Sequence, residues 1–178
     1  MRAVKIGMSS VVLMFLLLGV WSCKSGPTPE QKKRPVTSDK PNPNAVKMPD
    51  FKFTTIDGKA FTQKDLKKQT TVFFFFSTLC KHCKDNAKHL VERADDFKNV
   101  QVILFSTETP EIIKKFRDDN KLSDFPNYQL MHIENKDVYN VFGPMQVPST
   151  LIFNKHHEMT QRIIGNTFFD FIVGSIPV

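Results

Sequence analysis

The sequence predicts an α/β domain in which strands and helices alternate along the chain around one central sheet. Uniformly apolar segments such as 70–77 and 100–106 have the composition of strands that are covered on both faces. Each is followed by a segment with apolar residues at helical spacing, and this alternation is typical of a sheet with helices on both faces. With 178 residues, 40% of them hydrophobic, the chain has material for one domain plus extensions.

The first half of the predicted domain contains a hairpin, a strand and a helix. Phenylalanines alternate with polar residues over 51–61 around Asp57-Gly58, which predicts two strands joined by a tight turn. The buried strand 70–77 follows. From residue 80 to residue 97 apolar residues recur at helical spacing, so we expect a helix whose first turn holds both cysteines of this region.

The second half continues the alternation. Thr109-Pro110-Glu111 supplies an N-cap, a proline at the first helical position and an early acid, and we expect Ile112, Ile113 and Phe116 on one face of the helix that follows. The remaining predicted elements are the strands 100–106, 128–133, 150–153 and 159–164, and the helices 137–142 and 168–176.

Residues 1–22 have the pattern of an export signal. Two basic residues within the first five precede a stretch without charge from Ile6 to Ser22. The stretch ends in Val20-Trp21-Ser22-Cys23, which resembles a bacterial lipobox and implies cleavage before Cys23 and lipidation of its sulphur and amine. Lipidation would account for the odd count of three cysteines. The alternative is an uncleaved or ordinarily cleaved signal with an unmodified Cys23.

The segment between this signal and the domain is expected to be a tether. Residues 24–47 contain five prolines and no aromatic residue, so they cannot bury enough apolar surface to offset the entropy of ordering. The predicted organisation is therefore a signal peptide at 1–22, a lipidated cysteine and disordered tether at 23–47, and a domain at 48–178. We expect it on the bacterial cell envelope, held to the membrane by lipid, with the domain facing the periplasm or the outside.

The charge of the chain is basic but scattered. Lys and Arg number 25 against 18 Asp and Glu, a formal charge of +7. Nucleic-acid binding favours a clustered basic stripe, and the predicted domain has none. We therefore expect no nucleic-acid partner.

Cys80-Lys81-His82-Cys83 is the candidate redox site. A spacing of three residues places both sulphurs on one helical turn, close enough for a disulfide, and a junction from strand to helix is where open α/β sheets place their chemistry. Helix amides and cationic neighbours favour a thiolate at Cys80, whereas Cys83, one turn further in, is expected to be more buried. We predict Cys80 as the nucleophile and Cys83 as the resolving thiol, with their reversible disulfide as the redox group and no separate cofactor.

The two inner residues of the motif are expected to influence the pair. An imidazolium at His82 would stabilise the thiolate and hence the reduced form, which makes the pair more oxidising. Lys81 would add to this effect if its ammonium stays near the sulphur, and it is also a candidate substrate contact. Otherwise its side chain points to water.

Other interpretations use the same cysteines. No second Cys pair is present, and the other histidines (His89, His132, His156 and His157) do not form a spaced ligand pair, so no metal site is predicted. Copper(I) held by the two thiolates is the alternative function, as a binding or metallochaperone module. A peroxidase that uses Cys80 alone is a third interpretation, and a purely structural disulfide would constrain only a short loop.

Three pieces of sequence carry a resemblance to a known family: Met48-Pro49-Asp50-Phe51 with Asp57-Gly58-Lys59, then Phe75 to Cys83, then Phe142-Gly143 through Val147-Pro148-Ser149-Thr150 to Phe153. By these pieces, residues 48 to about 176 resemble the thioredoxin-like superfamily, and most closely its TlpA/ResA group of membrane-tethered thiol-disulfide oxidoreductases. The resemblance implies a thioredoxin-like fold with a central mixed sheet. It also implies protein dithiol or disulfide substrates and a redox partner in the membrane or envelope.

The resemblance also assigns roles around the cysteines. It implies that Pro148 is a cis proline beside the pair and that the backbone of Val147 contacts an extended substrate. Three positions depart from the family: Leu79 replaces a tryptophan, Lys88 replaces a proline, and Asn86 replaces a glutamate, with Asp85 one position away.

Overall fold

The structure is a computed structural model that describes residues 40–177. The strands are β1 (Lys52–Thr55), β2 (Ala60–Thr62), β3 (Thr70–Phe75), β4 (Val100–Ser106), β5 (Tyr128–His132), β6 (Ser149–Phe153) and β7 (Met159–Ile164). The helices are α1 (Lys81–Glu92), α2 (Pro110–Asp119), α3 (Asn135–Phe142) and α4 (Phe169–Gly174), with short 3-10 turns at Gln63–Asp65, Ala94–Phe97 and Leu122–Asp124.

All seven strands form one mixed sheet in the order β2-β1-β5-β4-β3-β6-β7. The central strands β3, β4 and β5 are parallel, whereas β1 with β2 and β6 with β7 are antiparallel hairpins at the two edges. Strand β6 runs antiparallel to β3, with Ser149 opposite Phe75. The start of β6 therefore lies beside the end of β3.

Strand β3 is apolar on both faces because it separates two cores. Val72 and Phe74 pack into the core formed with α1, α2 and α4. Phe73 and Phe75 alternate with them and pack into the core formed with α3. Because every residue of β3 is buried, the strand is a rigid base for the segment that follows it. The predicted α/β architecture, with helices on both faces of a mixed sheet, is confirmed.

Helix α1 differs from the predicted helix at both ends. Cys80 is its N-cap, with φ −76° and ψ 119°, so only Cys83 lies within the helix. The helix ends at Glu92 because Arg93 leaves the helical region at φ −118° and ψ 31°. Phe97 therefore belongs to the separate turn Ala94–Phe97, where it is fully buried.

The prediction for the buried face of α2 was right for two residues and wrong for the third. Ile113 and Phe116 are buried, but Ile112 is 47% exposed. Adjacent residues on a helix are turned about 100° from each other, and with Ile113 and Phe116 facing the core the side chain of Ile112 lies toward the edge of that face.

The packed chain begins before residue 48. The amide of Met48 donates to the carbonyl of His157, and the amide of Met159 donates to the carbonyl of Val46. These bonds attach the last residues of the predicted tether to the β6–β7 hairpin. The predicted signal peptide, Cys23 and the tether as far as residue 39 lie outside the described residues. Over residues 40–177 no helix is long and apolar enough to cross a membrane.

Candidate active site

The two cysteines lie where β3 ends and α1 begins. The amide of Cys80 donates to the carbonyl of Ser77 at 3.2 Å, which turns the chain out of the strand. The sulphur of Cys80 then accepts a hydrogen bond from the amide of Cys83 at 3.3 Å. Cys80 thus caps the helix with its own thiol, which places its sulphur at the positive end of the helix dipole.

The environments of the two thiols differ as predicted. Both are free, Cys80 being half-buried and Cys83 buried. Burial and the hydrogen bond with Cys80 raise the pKa of Cys83 to about 12, the backbone of Ser77 lowers it in part, and the negative charge of Glu108 adds to the rise. Cys80 is therefore the more accessible of the two sulphurs, while Cys83 is held as a protonated thiol.

Pro148 lies next to this pair. The Val147–Pro148 peptide bond is cis, as the resemblance implies. Because Pro148 immediately precedes β6, it sits beside the end of β3, and it lines a small pocket together with Cys83 and Asn86.

Val147, the residue before the cis proline, is available for contact. It is 36% exposed, and within residues 40–177 no hydrogen bond engages its backbone. The Gly165 amide holds the next carbonyl along the chain, that of Pro148. Among the described residues, the backbone amide and carbonyl of Val147 are therefore left without a partner, next to the proline that lies beside Cys83.

Lys81 and His82 are both directed at an acid on their own helix. The Lys81 ammonium lies 2.9 Å from the carboxylate of Asp85, and His82 Nδ1 lies 4.0 Å from the same group. The hydrogen bond from Lys81 holds the pKa of Asp85 below its usual range. In the described chain neither side chain forms a hydrogen bond with a cysteine sulphur. The carboxylate of Asp85 thus interacts with Lys81 and His82.

Glu108 is an acid beside the pair that the sequence analysis did not identify. Both of its carboxylate oxygens accept a hydrogen bond from the Thr78 amide at 3.1 Å, and one also accepts a hydrogen bond from the Ser77 hydroxyl at 2.9 Å. These bonds fasten the segment that leads into Cys80. A signal was present in the sequence, because Glu108 follows a buried strand parallel to β3, and the carboxyl ends of parallel strands share one edge.

His132 extends this arrangement. Its Nδ1 lies 2.8 Å from the carbonyl oxygen of Glu108, so Nδ1 carries the proton and donates to that carbonyl. His132 ends β5, the next parallel strand. The ends of β3, β4 and β5 thus bring Cys80, Glu108 and His132 to the same edge of the sheet.

The remaining histidines serve other contacts. The His89 ring packs against Phe169, with ring centroids 5.1 Å apart. His156 and His157 lie in the β6–β7 turn, as predicted. Among residues 40–177 no group of three or more His, Cys, Asp or Glu side chains is arranged to hold a metal ion. In this part of the chain no His, Asp or Glu side chain is therefore placed to join the two cysteines as a copper(I) ligand.

A protein-family model described as the AhpC/TSA family matches residues 45–162, about two thirds of the chain. The chain belongs to the AhpC/TSA family. The match includes the cysteine motif and Pro148, and it confirms the prediction of an oxidoreductase. A comparison with curated protein sequences gives no match.

Solved structures similar to this AhpC/TSA family member share its fold. One is a thiol:disulfide interchange protein from Chlorobium tepidum, 19% identical over 75% of this chain and 97% of the other, with a TM-score of 0.60. Another is a secreted Mycobacterium tuberculosis disulfide oxidoreductase homologous to E. coli DsbE, 16% identical over 70% and 92%, with a TM-score of 0.59.

A third is the thioredoxin domain of a Bacteroides vulgatus thiol-disulfide oxidoreductase, 16% identical over 71% of this chain and 90% of the other, with a TM-score of 0.59. These likenesses confirm the predicted thioredoxin-like fold.

Proposed function

We propose that this protein is a thiol-disulfide oxidoreductase that exchanges disulfides with protein substrates. The observation that carries the proposal is the pairing of an accessible Cys80, which caps a helix with its sulphur, with a buried Cys83 whose amide donates to that sulphur. Cis-Pro148 beside Cys83 and the unpaired backbone of Val147 add a place for an extended polypeptide.

The exchange takes two steps. The Cys80 thiolate attacks one sulphur of a substrate disulfide, so a Cys80–substrate disulfide forms and the other substrate sulphur leaves as a thiolate that takes up a proton. Cys83 then loses its proton and attacks the Cys80 sulphur, which releases the second substrate thiolate and forms the Cys80–Cys83 disulfide. Two electrons pass from the protein to the substrate, and the reverse sequence oxidises a substrate dithiol.

The surface around Cys80 suits a polypeptide substrate. Leu79, directly before the nucleophile, is 87% exposed, and Phe168 at the start of α4 is exposed to the same extent. The amide of Gly165 donates to the carbonyl of Pro148. This bond attaches the segment that leads to Phe168 to the residue beside Cys83. Exposed apolar side chains of this size favour contact with unfolded or extended chains that carry apolar residues beside their cysteines.

The position of the protein in the cell is the second part of the proposal. We infer that it belongs to the membrane-tethered TlpA/ResA type and acts at the bacterial cell envelope, anchored by lipid on Cys23, with a membrane or envelope redox partner. The signal pattern and the lipobox-like Val20-Trp21-Ser22-Cys23 support this. Replacing Cys23 with Ala should release the protein from the membrane fraction, and an unchanged distribution would contradict the anchor.

Trapping tests the exchange reaction. With Cys83→Ser, the resolving step is lost, so Cys80–substrate disulfides should accumulate in envelope extracts and disappear on reduction. The matched Cys80→Ser variant should trap far less, because Cys83 is buried. If neither variant traps a partner, the exchange proposal fails. Peroxide consumption that needs Cys80 but not Cys83 would instead support the peroxidase interpretation.

A further inference from the structure

A cleft of about 370 Å³ lies beside the segment that carries Cys80, between the start of α1 and the outer face of α2. Thr78 and Lys84 line its α1 side. Thr78 is two residues before Cys80, which limits the distance between their Cα atoms to about 7 Å. Lys84 is one helical turn after Cys80, about 6 Å along the axis. A polypeptide bonded to Cys80 would thus have its neighbouring residues within reach of the cleft.

The cleft combines apolar and polar lining. Ile112 and Phe116 of α2 contribute apolar surface, and the 47% exposure of Ile112 is explained by its position here. Within residues 40–177 the Thr78 hydroxyl has no hydrogen-bond partner, although its amide is held by Glu108. An occupant of this cleft therefore meets aliphatic and aromatic surface together with an unused hydroxyl.

The charge of the cleft comes from Lys84. On α1, Lys81 pairs with Asp85 and Lys88 lies 3.6 Å from Glu92, each with an acid one turn further along. Lys84 has Lys88 at that position, and over the described part of the chain it forms no ion pair. The other charged groups of the cleft, Lys115 and Asp119, neutralise each other at 2.8 Å. One positive charge is left without a partner.

We propose that this cleft is a specificity subsite that binds an acidic side chain lying within a few residues of the reacting cysteine of a polypeptide substrate. The carboxylate pairs with Lys84 and accepts from the Thr78 hydroxyl, while its methylene groups rest on Ile112 and Phe116. The inference rests on the proposed disulfide exchange and names the substrate sequence that this exchange favours.

The test uses two synthetic peptide strands joined by one disulfide, with a fluorophore on one strand and a quencher on the other. Reduction by the reduced protein separates the strands and restores fluorescence. Substrates are compared in matched pairs that differ at a single position within three residues of the cysteine. One substrate of the pair has Glu at that position, and the other has Gln. The ratio of the two rate constants is the measure, because any change in the reactivity of Cys80 affects both peptides equally.

We expect the wild-type protein to reduce the Glu peptide about two- to fivefold faster than the Gln peptide at low ionic strength, at one or two positions, with the ratio falling in high salt. Lys84→Gln should bring the ratio to one, and Lys84→Glu should favour a Lys peptide instead. The control Lys88→Gln removes a charge from the same helix outside the cleft and should keep the wild-type ratio.

Two failures can be told apart. Equal rates for all Glu and Gln pairs with the wild-type protein, or a ratio that survives Lys84→Gln, would overturn the subsite and leave the exchange reaction standing. Failure to reduce any of the peptides would overturn the proposed exchange and the subsite with it.

Discussion

Glu108 lies beside the redox pair, and its negative charge acts on Cys83. The Glu108 carboxylate holds Ser77 and Thr78 in place, and its charge contributes to the raised pKa of Cys83. A carboxylate near a thiol disfavours the thiolate, so Glu108 adds to the larger effects of burial and of the hydrogen bond with Cys80, which keep Cys83 protonated. Asn86 also lines the pocket with Cys83 but has no charge to contribute.

Replacing Glu108 with Gln should lower the pKa of Cys83 from about 12, because the negative charge that disfavours its thiolate is removed. Ultraviolet absorbance of the thiolates during titration of the reduced protein measures this. Glu134→Gln is the control, since Glu134 lies near His132 and makes no bond to Ser77 or Thr78. An unchanged or raised pKa of Cys83 in Glu108→Gln would contradict the electrostatic coupling.

At the scale of elements, the approach to cis-Pro148 depends on how α3 ends. Gly143, its C-cap, has φ 73° and ψ −166°, a region that only glycine adopts readily. Arg162 of β7 then holds the chain on both sides of Gly143, donating to the carbonyls of Phe142 at 2.8 Å and Pro144 at 2.9 Å. The loop leading to Pro148 is thus fixed at its first residues.

Gly143→Ala should lower the free energy of unfolding by about 1–3 kcal/mol, because the backbone strain is imposed even though a Cβ would meet only Arg162 Nη2 at 3.8 Å. Chemical denaturation of the two proteins measures the difference. Gly174→Ala at the end of α4 is the matched control: its φ is not in the left-handed region and a Cβ there meets nothing within 4 Å. If Gly174→Ala lowers the free energy of unfolding as much as Gly143→Ala does, the conformational explanation is wrong.

The elements themselves were largely predictable, because each one has a local signature. The uniform apolar composition of 70–77 and 100–106 gave β3 and β4, and Thr109-Pro110 gave the start of α2. The roles of single residues at the ends of elements were less predictable. Periodicity does not distinguish an N-cap from a first helical residue, so Cys80 was placed one position too far inside the helix.

The parts of the candidate site that lie in short sequence motifs were predictable. The parts that come together only through the packing of three strands were less predictable. The cysteines and Pro148 were found from motifs. Glu108 and His132 are 28 and 52 residues beyond Cys80, and only the parallel register of β3, β4 and β5 brings their positions together. The pairing of Lys81 with Asp85 also depends on side-chain geometry that spacing alone does not fix.

Within the described residues, the redox site and residues 42–47 lie at opposite ends of β6. Strand β6 starts at Ser149 beside the cysteines and ends at Phe153, and residues 42–47 attach to the turn that follows. Five strand residues span about 17 Å, so residues 42–47 meet the rest of the domain on the side away from Cys80.

Glu158 holds residues 42–47 in place. Its side chain is buried and accepts hydrogen bonds from the Lys47 ammonium at 2.7 Å, the Asn42 amide at 2.6 Å and the Asn154 amide group at 2.9 Å. The bonds from Lys47 and Asn154 lower the pKa of Glu158 from 4.5 to about 2. A carboxyl whose pKa is lower in the folded state stabilises that state above its unfolded pKa and loses this effect as the pH falls.

Glu158→Gln should therefore reduce the stability of the domain at neutral pH, and the gap between the two proteins should close as the pH falls from about 4.5 toward 2. Unfolding curves across this range measure it, and faster hydrogen exchange at the Met48 and Met159 amides should accompany it at neutral pH. The reduction potential of Cys80 and Cys83 should not change, because the substitution lies at the other end of β6. If the difference in stability between the two proteins does not change with pH, ionisation of Glu158 does not stabilise the domain.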